Sequence, residues 1–369
     1  MILTYKYRIK DATTGKHLRR YAIACNQVWN FCVATQREAE RRWKAGCNVW
    51  WPTAFDLIKL CSGGVAAELG IHSDTVREVC RQFVSSRDQH KRCPRFRASF
   101  GSRRALGWVP FIPRTVRIKN ARFTYLGRQF YFWKSRGIDG ELRSGTFVQD
   151  ARGRWYVCFH CLVVAKLPTG NGRVGIDLGL KTLATCSDGH KIEALRHYHQ
   201  YEAALAIAQR AKNKGRVRAI HAKIANARRH HIHERTTEIV RNNQFIAVGN
   251  VSPSNLAKTK MAKSILDASW AMLKTQLAYK ARRHNAVFFE VDERFTSQTC
   301  SCCGTIPDSS PKGMGALGIR HWECSNCGAS HDRDVNAAKN ILRAGLERQP
   351  PGEGIAQLRE DINVTEGTA

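Results

Sequence analysis

The chain has 369 residues, 43% of them hydrophobic, which suits two or three domains with real cores and excludes global disorder. Sixty Lys and Arg against thirty Asp and Glu give a net charge of +30, which calls for a polyanionic partner: nucleic acid fits, because each neutralised phosphate releases counterions, whereas a membrane surface would call for an amphipathic anchor or a lipidation motif, and the sequence shows neither. No stretch approaches the roughly 20 apolar residues of a membrane span and Met1–Lys10 alternates rather than running apolar, so the expected setting is intracellular and reducing, with the fourteen cysteines as thiols or metal ligands.

Leu3, Tyr5, Tyr7 and Ile9 alternate with Thr4, Lys6, Arg8 and Lys10, a strand with one buried and one basic face. The basic face reads either as solvated or as lying on a phosphate backbone. Residues 17–90 read mostly as helix, with Tyr21, Val28, Trp29, Phe31 and Cys32 as an apolar stripe. A basic loop follows from Arg87 to Arg104, with Phe96 and Phe100 among Arg92, Arg95, Arg97 and Arg103; cations interleaved with aromatics suit phosphate contact plus stacking. Residues 114–165 are strand-rich, punctuated by turns at Asp139-Gly140 and Arg152-Gly153. Pro168 to Gly172 is a short linker and the expected main domain boundary.

Beyond it the pattern is strand, turn, strand, helices, strand, helix, strand. Arg173–Ala184 and His190–Glu193 flank a Ser187-Asp188-Gly189 turn. Residues 198–242 are helical, and Arg210–Arg235 holds nine Lys or Arg against one acid, which marks Arg216, Arg218, Arg228 and Arg229 as nucleic-acid contacts. Phe245–Val248 and Ala286–Val291 are buried strands around a helix carrying Trp270, Leu273 and Leu277. The tail from Glu347 is Gly/Pro-bearing, locally acidic and expected to be disordered.

Two Cys-x-x-Cys pairs, Cys300/Cys303 and Cys324/Cys327, each followed by glycine and separated by twenty residues, have the spacing of a zinc ribbon holding one structural Zn2+. Cys302 should point away. Cys158 and Cys161 repeat the spacing within a strand, where i and i+3 face opposite sides, so they are expected to be core thiols.

Asp177 sits centrally in the apolar run Val174-Gly175-Ile176-Asp177-Leu178-Gly179, where a carboxylate needs a reason that a metal would supply. Asp334, in His331-Asp332-Arg333-Asp334-Val335-Asn336-Ala337-Ala338, opens a helix beyond the second zinc knuckle; it reads as a metal ligand or as a helix N-cap. Paired acids holding two Mg2+ about 4 Å apart are the usual arrangement for phosphodiester hydrolysis.

The Gly175–Gly179 run, the zinc-knuckle entry Thr296–Gly304, the segment Asp332–Ala338 and the basic loop Cys93-Pro94-Arg95-Phe96-Arg97 together resemble the TnpB family of transposon-encoded nucleases and its relatives, the type V CRISPR effectors. The resemblance runs from residue 1 to about residue 345. It implies an α/β fold in which a β-barrel wedge domain with a helical recognition insert precedes a RuvC/RNase H-like nuclease domain with an inserted zinc ribbon. Residues 1–16 would then give the first wedge strand, 17–105 the helical insert and basic loop, 106–167 the rest of the barrel, 168–299 the nuclease domain, 300–330 the ribbon, 331–346 the last RuvC segment and 347–369 the tail. The implied activity is cleavage of double-stranded target DNA chosen by a guide RNA next to a short motif. Nucleic-acid contacts would come from Lys6, Arg8, Arg95, Phe96 and Arg97 and from the four arginines above. A homodimer is an allowed assembly, and the location would be the prokaryotic cytoplasm at the nucleoid.

The chain departs from the family at one position. The second RuvC motif carries a Glu at the end of the central strand, where this chain has Gly249. Glu293, just beyond the next strand, is the expected replacement in a catalytic set with Asp177 and Asp334; Glu290 and Asp292 are reserves on the opposite face. Otherwise Glu293 would be a surface acid paired with an arginine such as Arg294. The alternative functions are a nuclease-dead RNA-guided binder acting by occupancy and a zinc-ribbon DNA-binding protein without RNA.

Overall fold

The computed structural model describes residues 1–10, 14–165, 170–250, 270–312, 316 and 318–348. The chain divides into two compact units, Met1–Val164 and Ala165–Ala369, a few residues ahead of the linker expected at Pro168. Pro168 itself, Gly313, Gly315 and the tail beyond Arg348 lie outside the described residues.

In the first unit β1 (Ile2–Arg8) shows the alternation of its sequence: Tyr5 and Tyr7 are buried, while Lys6 and Arg8 are exposed. With β2 (Trp108–Phe111), β6 (Glu141–Gln149) and β7 (Trp155–Leu162) it forms an antiparallel sheet in the order β1-β7-β6-β2. A second sheet runs β3 (Val116–Lys119), β4 (Arg122–Tyr125), β5 (Arg128–Tyr131), and an Ile9–Phe132 bridge links the two chain segments. Their shared core is aromatic: Phe111, Phe123, Phe130, Phe132, Phe147 and Phe159 are all essentially inaccessible, in ring contacts of 4.8–6.3 Å. The helices expected within 17–90 are α1 (Thr14–Lys44), α2 (Ala54–Leu60), α3 (Val65–Leu69) and α4 (Ser73–His90). Leu18, Val28, Trp29 and Cys32 of α1 meet Val79, Cys80 and Phe83 of α4 in the same core. Cys161 is fully buried in that core, and Cys158, on the other strand face, lies near Lys6 and Thr146; neither joins a cluster of metal-ligating groups among the described residues.

The second unit is built on a five-stranded sheet in the order β10-β9-β8-β11-β12. Its strands are β8 (Gly172–Leu178), β9 (Thr182–Cys186), β10 (Lys191–Glu193), β11 (Asn243–Gly249) and β12 (Val287–Val291). The first three pair antiparallel, and β8, β11 and β12 run parallel, so the carboxyl ends of β8, β10, β11 and β12 all emerge at one edge. One face of the sheet takes α6 (Lys214–Asn242) and α7 (Trp270–Arg283): Ile176, Ile246 and Val248 pack with Ile232, Val240, Leu273 and Leu277. The first half of α6 packs instead on α5 (His197–Arg210) through Ile220, Ile224, Leu205 and Ala208.

The other face takes α8 (Arg333–Glu347), where Phe245, Ala247 and Val291 meet Ile341. The helix lies so close to β8 that a Cβ on Gly175 would stand 2.0 Å from the carbonyl oxygen of Ala338, so only glycine fits there. The ribbon hairpin β13 (His321–Glu323) and β14 (Ser330–Asp332) leads into α8. The hairpin runs on to Asp332, two residues beyond the boundary expected at residue 330. His331 and Asp332, expected to open the last nuclease segment, are strand residues because Trp322 and His321 pair with them.

Candidate functional site

Asp177, Gly249 and the residues after Val291 share both a sheet edge and a sheet face. Odd-numbered residues of β8 and β11 point at α8, and Val248 and Gly249 pair in register with Glu290 and Val291. Asp334 enters the same space from the first turn of α8. Asp332 is the N-cap of that helix, its Oδ1 accepting from the N–H groups of Asp334 and Val335 at 3.0 Å each. That removes the capping reading of Asp334 and leaves its carboxylate to side-chain partners. Arg320 from the ribbon supplies one, with Nη1 at 3.0 and 3.1 Å from the two carboxylate oxygens.

Glu293 lies two residues past β12 and its carboxylate sits over Gly249: a Cβ built at 249 would meet Glu293 Oε2 at 3.0 Å and Glu293 Cβ at 3.5 Å. The alternative pairing with Arg294 does not occur; that guanidinium lies 4.0 Å from Asp292, and Glu290 is held by Lys274 at 2.7 Å. Burial, reinforced by the neighbouring carboxylates of Asp334 and Glu293, pushes Asp177 up to about 8. Burial, then the Asp292 charge, also raises Glu293. Asp334 and Glu293 thus lie near enough to Asp177 to act on it by charge, although among the described residues only the four cysteines bring their ligand atoms within 4.8 Å of one another; an oxygen-only donor set of this kind fits Mg2+ chemically.

The expected zinc ligands converge as their spacing requires. The Sγ atoms of Cys300, Cys303, Cys324 and Cys327 all lie within 4.8 Å of one another, with Cys300–Cys327 at 3.7 Å and Cys303–Cys324 at 3.8 Å. Zn–S bonds of about 2.3 Å in a tetrahedron require S–S edges of roughly 3.8 Å. Gly304 and Gly328 close the two knuckles with positive φ of 77° and 70°, each N–H donating to the carbonyl of the first cysteine of its pair. Cys302 is exposed and outside the cluster.

Three features escape a reading of the sequence. His331 Nε2 lies 3.0 Å from Cys300 Sγ and its ring packs on Trp322, so it can donate to a thiolate from outside the ligand set. Asn336 and Asn340, one turn apart on α8 and both buried, donate to the carbonyls of Thr296 and Thr299, and Asn336 Oδ1 accepts from Ser301 N–H. Thr296 in turn donates to the Glu293 carbonyl at 2.8 Å. This chain of bonds fixes the ribbon entry, Glu293 and the helix bearing Asp334 as one piece. The motif contains these residues, but nothing in their spacing identifies their partners.

Of the expected nucleic-acid contacts, Lys6, Arg8, Arg95, Phe96, Arg216, Arg218 and Arg229 are exposed. Lys6 lies 4.5 Å over the Tyr156 ring. Arg97 is different: its guanidinium stacks 3.5 Å over Trp29 and its N–H donates to Asn30, so it anchors the basic loop to α1 instead of presenting a free cation. Arg228 is half-buried and lines a cavity in the second unit.

Two family models match the chain: the "probable transposase" model over residues 156–260 and the Cas12f1-like TNB domain model over residues 270–341. A Streptomyces pristinaespiralis protein named as a candidate RNA-guided DNA endonuclease is 38% identical over 230 residues, 58% of this chain and 56% of that protein, so the chain matches only about half of that relative's length. InsQ of Escherichia coli strain K12, named likewise, is 28% identical over 379 aligned positions, 92% of each chain. The chain is thus similar to proteins named as RNA-guided DNA endonucleases, and TnpB-like proteins of Acanthamoeba polyphaga mimivirus are 24% identical to it over 231 residues. The chain's fold is similar to that of Cas12f1 in the solved Cas12f1–sgRNA–target DNA complex, with a TM-score of 0.56 and 13% identity over 90% of this chain and 83% of that one. The transposase model covers Asp177 and Gly249, and the TNB model covers Glu293, the four cysteines and Asp334, so both matches fall on the residues described above.

Proposed function

We propose that the chain is an RNA-guided DNA endonuclease of TnpB type, acting on double-stranded DNA matched to a guide RNA in the prokaryotic cytoplasm. The second unit would be its RuvC/RNase H-like nuclease with the zinc ribbon nested between β12 and α8, and the first its wedge and recognition module. The observation that supports the reading is that Glu293 and Asp334, from two distant segments, both act by charge on the buried Asp177 in a protein of net charge +30.

These acids would hold two Mg2+, which supply Lewis-acid polarisation of the phosphate and an activated water. The chain's own contribution is to fix the acids before substrate arrives. Asp332 caps α8 so that Asp334 projects to the edge, and the Asn336/Asn340 bonds lock α8 to the Glu293 segment. Arg320 neutralises Asp334 and lies beside the acid centre, where it can also meet a phosphate. Four thiolates would hold Zn2+ to brace this arrangement.

Gly249 favours a second reading, a nuclease-dead RNA-guided binder, since a side chain is missing where the family has its Glu. Purification without added RNA, followed by RNA sequencing and cleavage of matched DNA with Mg2+, tests both. Bound RNA with cutting that Asp177→Ala abolishes is expected; bound RNA with no cutting supports occupancy, and a protein free of RNA refutes both. Reversing charge at Arg216, Arg218 and Arg229 should weaken RNA binding and flatten its salt dependence by roughly 0.7–0.9 for each phosphate that is no longer neutralised.

A further inference from the structure

A cavity of about 500 Å3 opens in the second unit between the β8–β9 turn, the end of β10 and the α5–α6 pair. Small-ligand sites span roughly 300–1,000 Å3, so it can admit a nucleotide-sized group. Topology puts it at the working edge of the sheet. Leu180 and Lys181 follow Asp177 around the β8–β9 turn, and Ala194 to Arg196 follow the carboxyl end of β10, which emerges at the same edge as β8. The cavity lies on the α6 side of the sheet and Asp177 faces α8, so a strand that reaches both rounds the carboxyl edge of the sheet.

The lining has the chemistry of a nucleotide site. Half-buried Leu180 and Ala194, backed by the buried Leu183 and Ile232, make an apolar floor, and Tyr198 offers a ring. Lys181 and Arg196 are exposed cations at the rim, and Arg228 is a third cation among the lining residues. The acid in the lining, Glu202, is engaged by His199 at 3.2 Å. His231 donates from Nε2 to the Glu193 carbonyl at 3.3 Å, which leaves Nδ1 as an acceptor, and burial keeps this imidazole below its ordinary pKa and therefore neutral near pH 7. Apolar floor, aromatic ring, neutral imidazole and cationic rim together suit a base with its flanking phosphates.

We propose that this cavity receives one unpaired nucleotide of the DNA strand being cut, its base against Leu180 and Ala194 and its phosphates on Lys181 and Arg196. Held there, the strand is drawn out of the duplex stack, and where it rounds the sheet edge a phosphate is presented to Asp177. The assignment rests on the nuclease reading above, and it adds a strand-positioning pocket that the acids do not themselves provide.

The test uses full-length Asp177→Asn protein with its copurified RNA, so that contact is read without cutting. A single-stranded oligodeoxynucleotide carries 4-thiothymidine at one position at a time, and cross-linked peptides are mapped after irradiation. One position should cross-link to the peptide spanning residues 195–202. Ala194→Trp, which fills the cavity without changing charge, should lower that cross-link about tenfold. Lys181→Ala/Arg196→Ala, at exposed positions that leave the fold intact, should weaken single-strand binding and cut its salt slope by about 1.4. Guide-RNA affinity should be unchanged in both variants. Cross-links confined to other peptides, or cross-linking of the peptide to the guide RNA instead, would overturn the pocket. If wild-type protein fails to cut yet the cross-link forms, the nuclease reading falls and the pocket stands; if it cuts without the cross-link, the reverse holds.

Discussion

Exchanging the acid between positions 293 and 249 isolates the contribution of one carboxylate. Glu293→Ala removes the group over Gly249 and leaves the backbone bonds of Thr296 to the 293 carbonyl intact, since they involve main-chain atoms at 293. If the three acids hold two cations as proposed, losing one acid should raise the barrier by several kcal/mol; at 1.36 kcal/mol per decade, a loss of about 3–5 kcal/mol slows cleavage roughly 10²- to 10⁴-fold. Gly249→Glu alone should also impair cutting, because its Cβ would stand 3.0 Å from the Glu293 carboxylate and 3.3 Å from Ile341 Cδ1. In the Glu293→Ala background the carboxylate clash disappears, and the closest remaining neighbours are Ile341 at 3.3 Å and the 293 Cβ at 3.5 Å, separations that small shifts relieve. The double variant should therefore recover at least a tenth of wild-type cutting in a single-turnover assay at matched RNA loading. Undiminished cutting by Glu293→Ala would refute the reasoning, and so would a double variant no better than Glu293→Ala with unchanged DNA binding.

Other outcomes follow from neighbouring features. Cys300→Ser/Cys324→Ser should lose the bound zinc by metal analysis and reduce cleavage more than RNA binding, because the ribbon positions α8. Asn340→Ala removes one of the two amide donors to the Thr296 and Thr299 carbonyls, Asn336 being the other, and should lower stability by about 0.5–1.5 kcal/mol in denaturant unfolding, an effect absent if the bonds are dispensable. In the first unit the Arg114 guanidinium, with Arg77 and His72 nearby, holds the buried Asp74 carboxyl below its ordinary value. Its folded pKa is depressed, so its stabilisation is complete above the unfolded value near 3.9 and is lost as pH falls through the folded one. Asp74→Asn should therefore lower the Tm at pH 7 and flatten the fall of Tm below pH 4; parallel curves for the two proteins would contradict this.

Short-range chemistry is readable from the sequence and long-range contact is not. The cysteine spacing specifies the four thiolates because a tetrahedral site demands that pairing, and Asp177 stands out because an acid in an apolar strand is costly. Glu293 comes into view through an absence at Gly249 together with the rule that parallel neighbours end at one edge. Arg97 departs from its expected role because composition cannot tell a cation facing phosphate from one stacked on an indole far earlier in the chain, at Trp29. His331, Asn336, Asn340 and Arg320 are silent for the same reason: their roles depend on atoms brought near only by folding.

The close seating of α8 on β8, which requires glycine at 175, sets an order on the assembly of the nascent chain. Asp177 leaves the ribosome roughly 150 residues ahead of Asp334, about 8–30 s at bacterial rates of roughly 5–20 residues per second. Through that interval the sheet face formed by Phe245, Ala247 and Val291 has no cover and the acid centre has no third member. A chain interrupted before Arg333 would thus lack Asp334 and carry an open apolar face of the kind that quality-control proteases find.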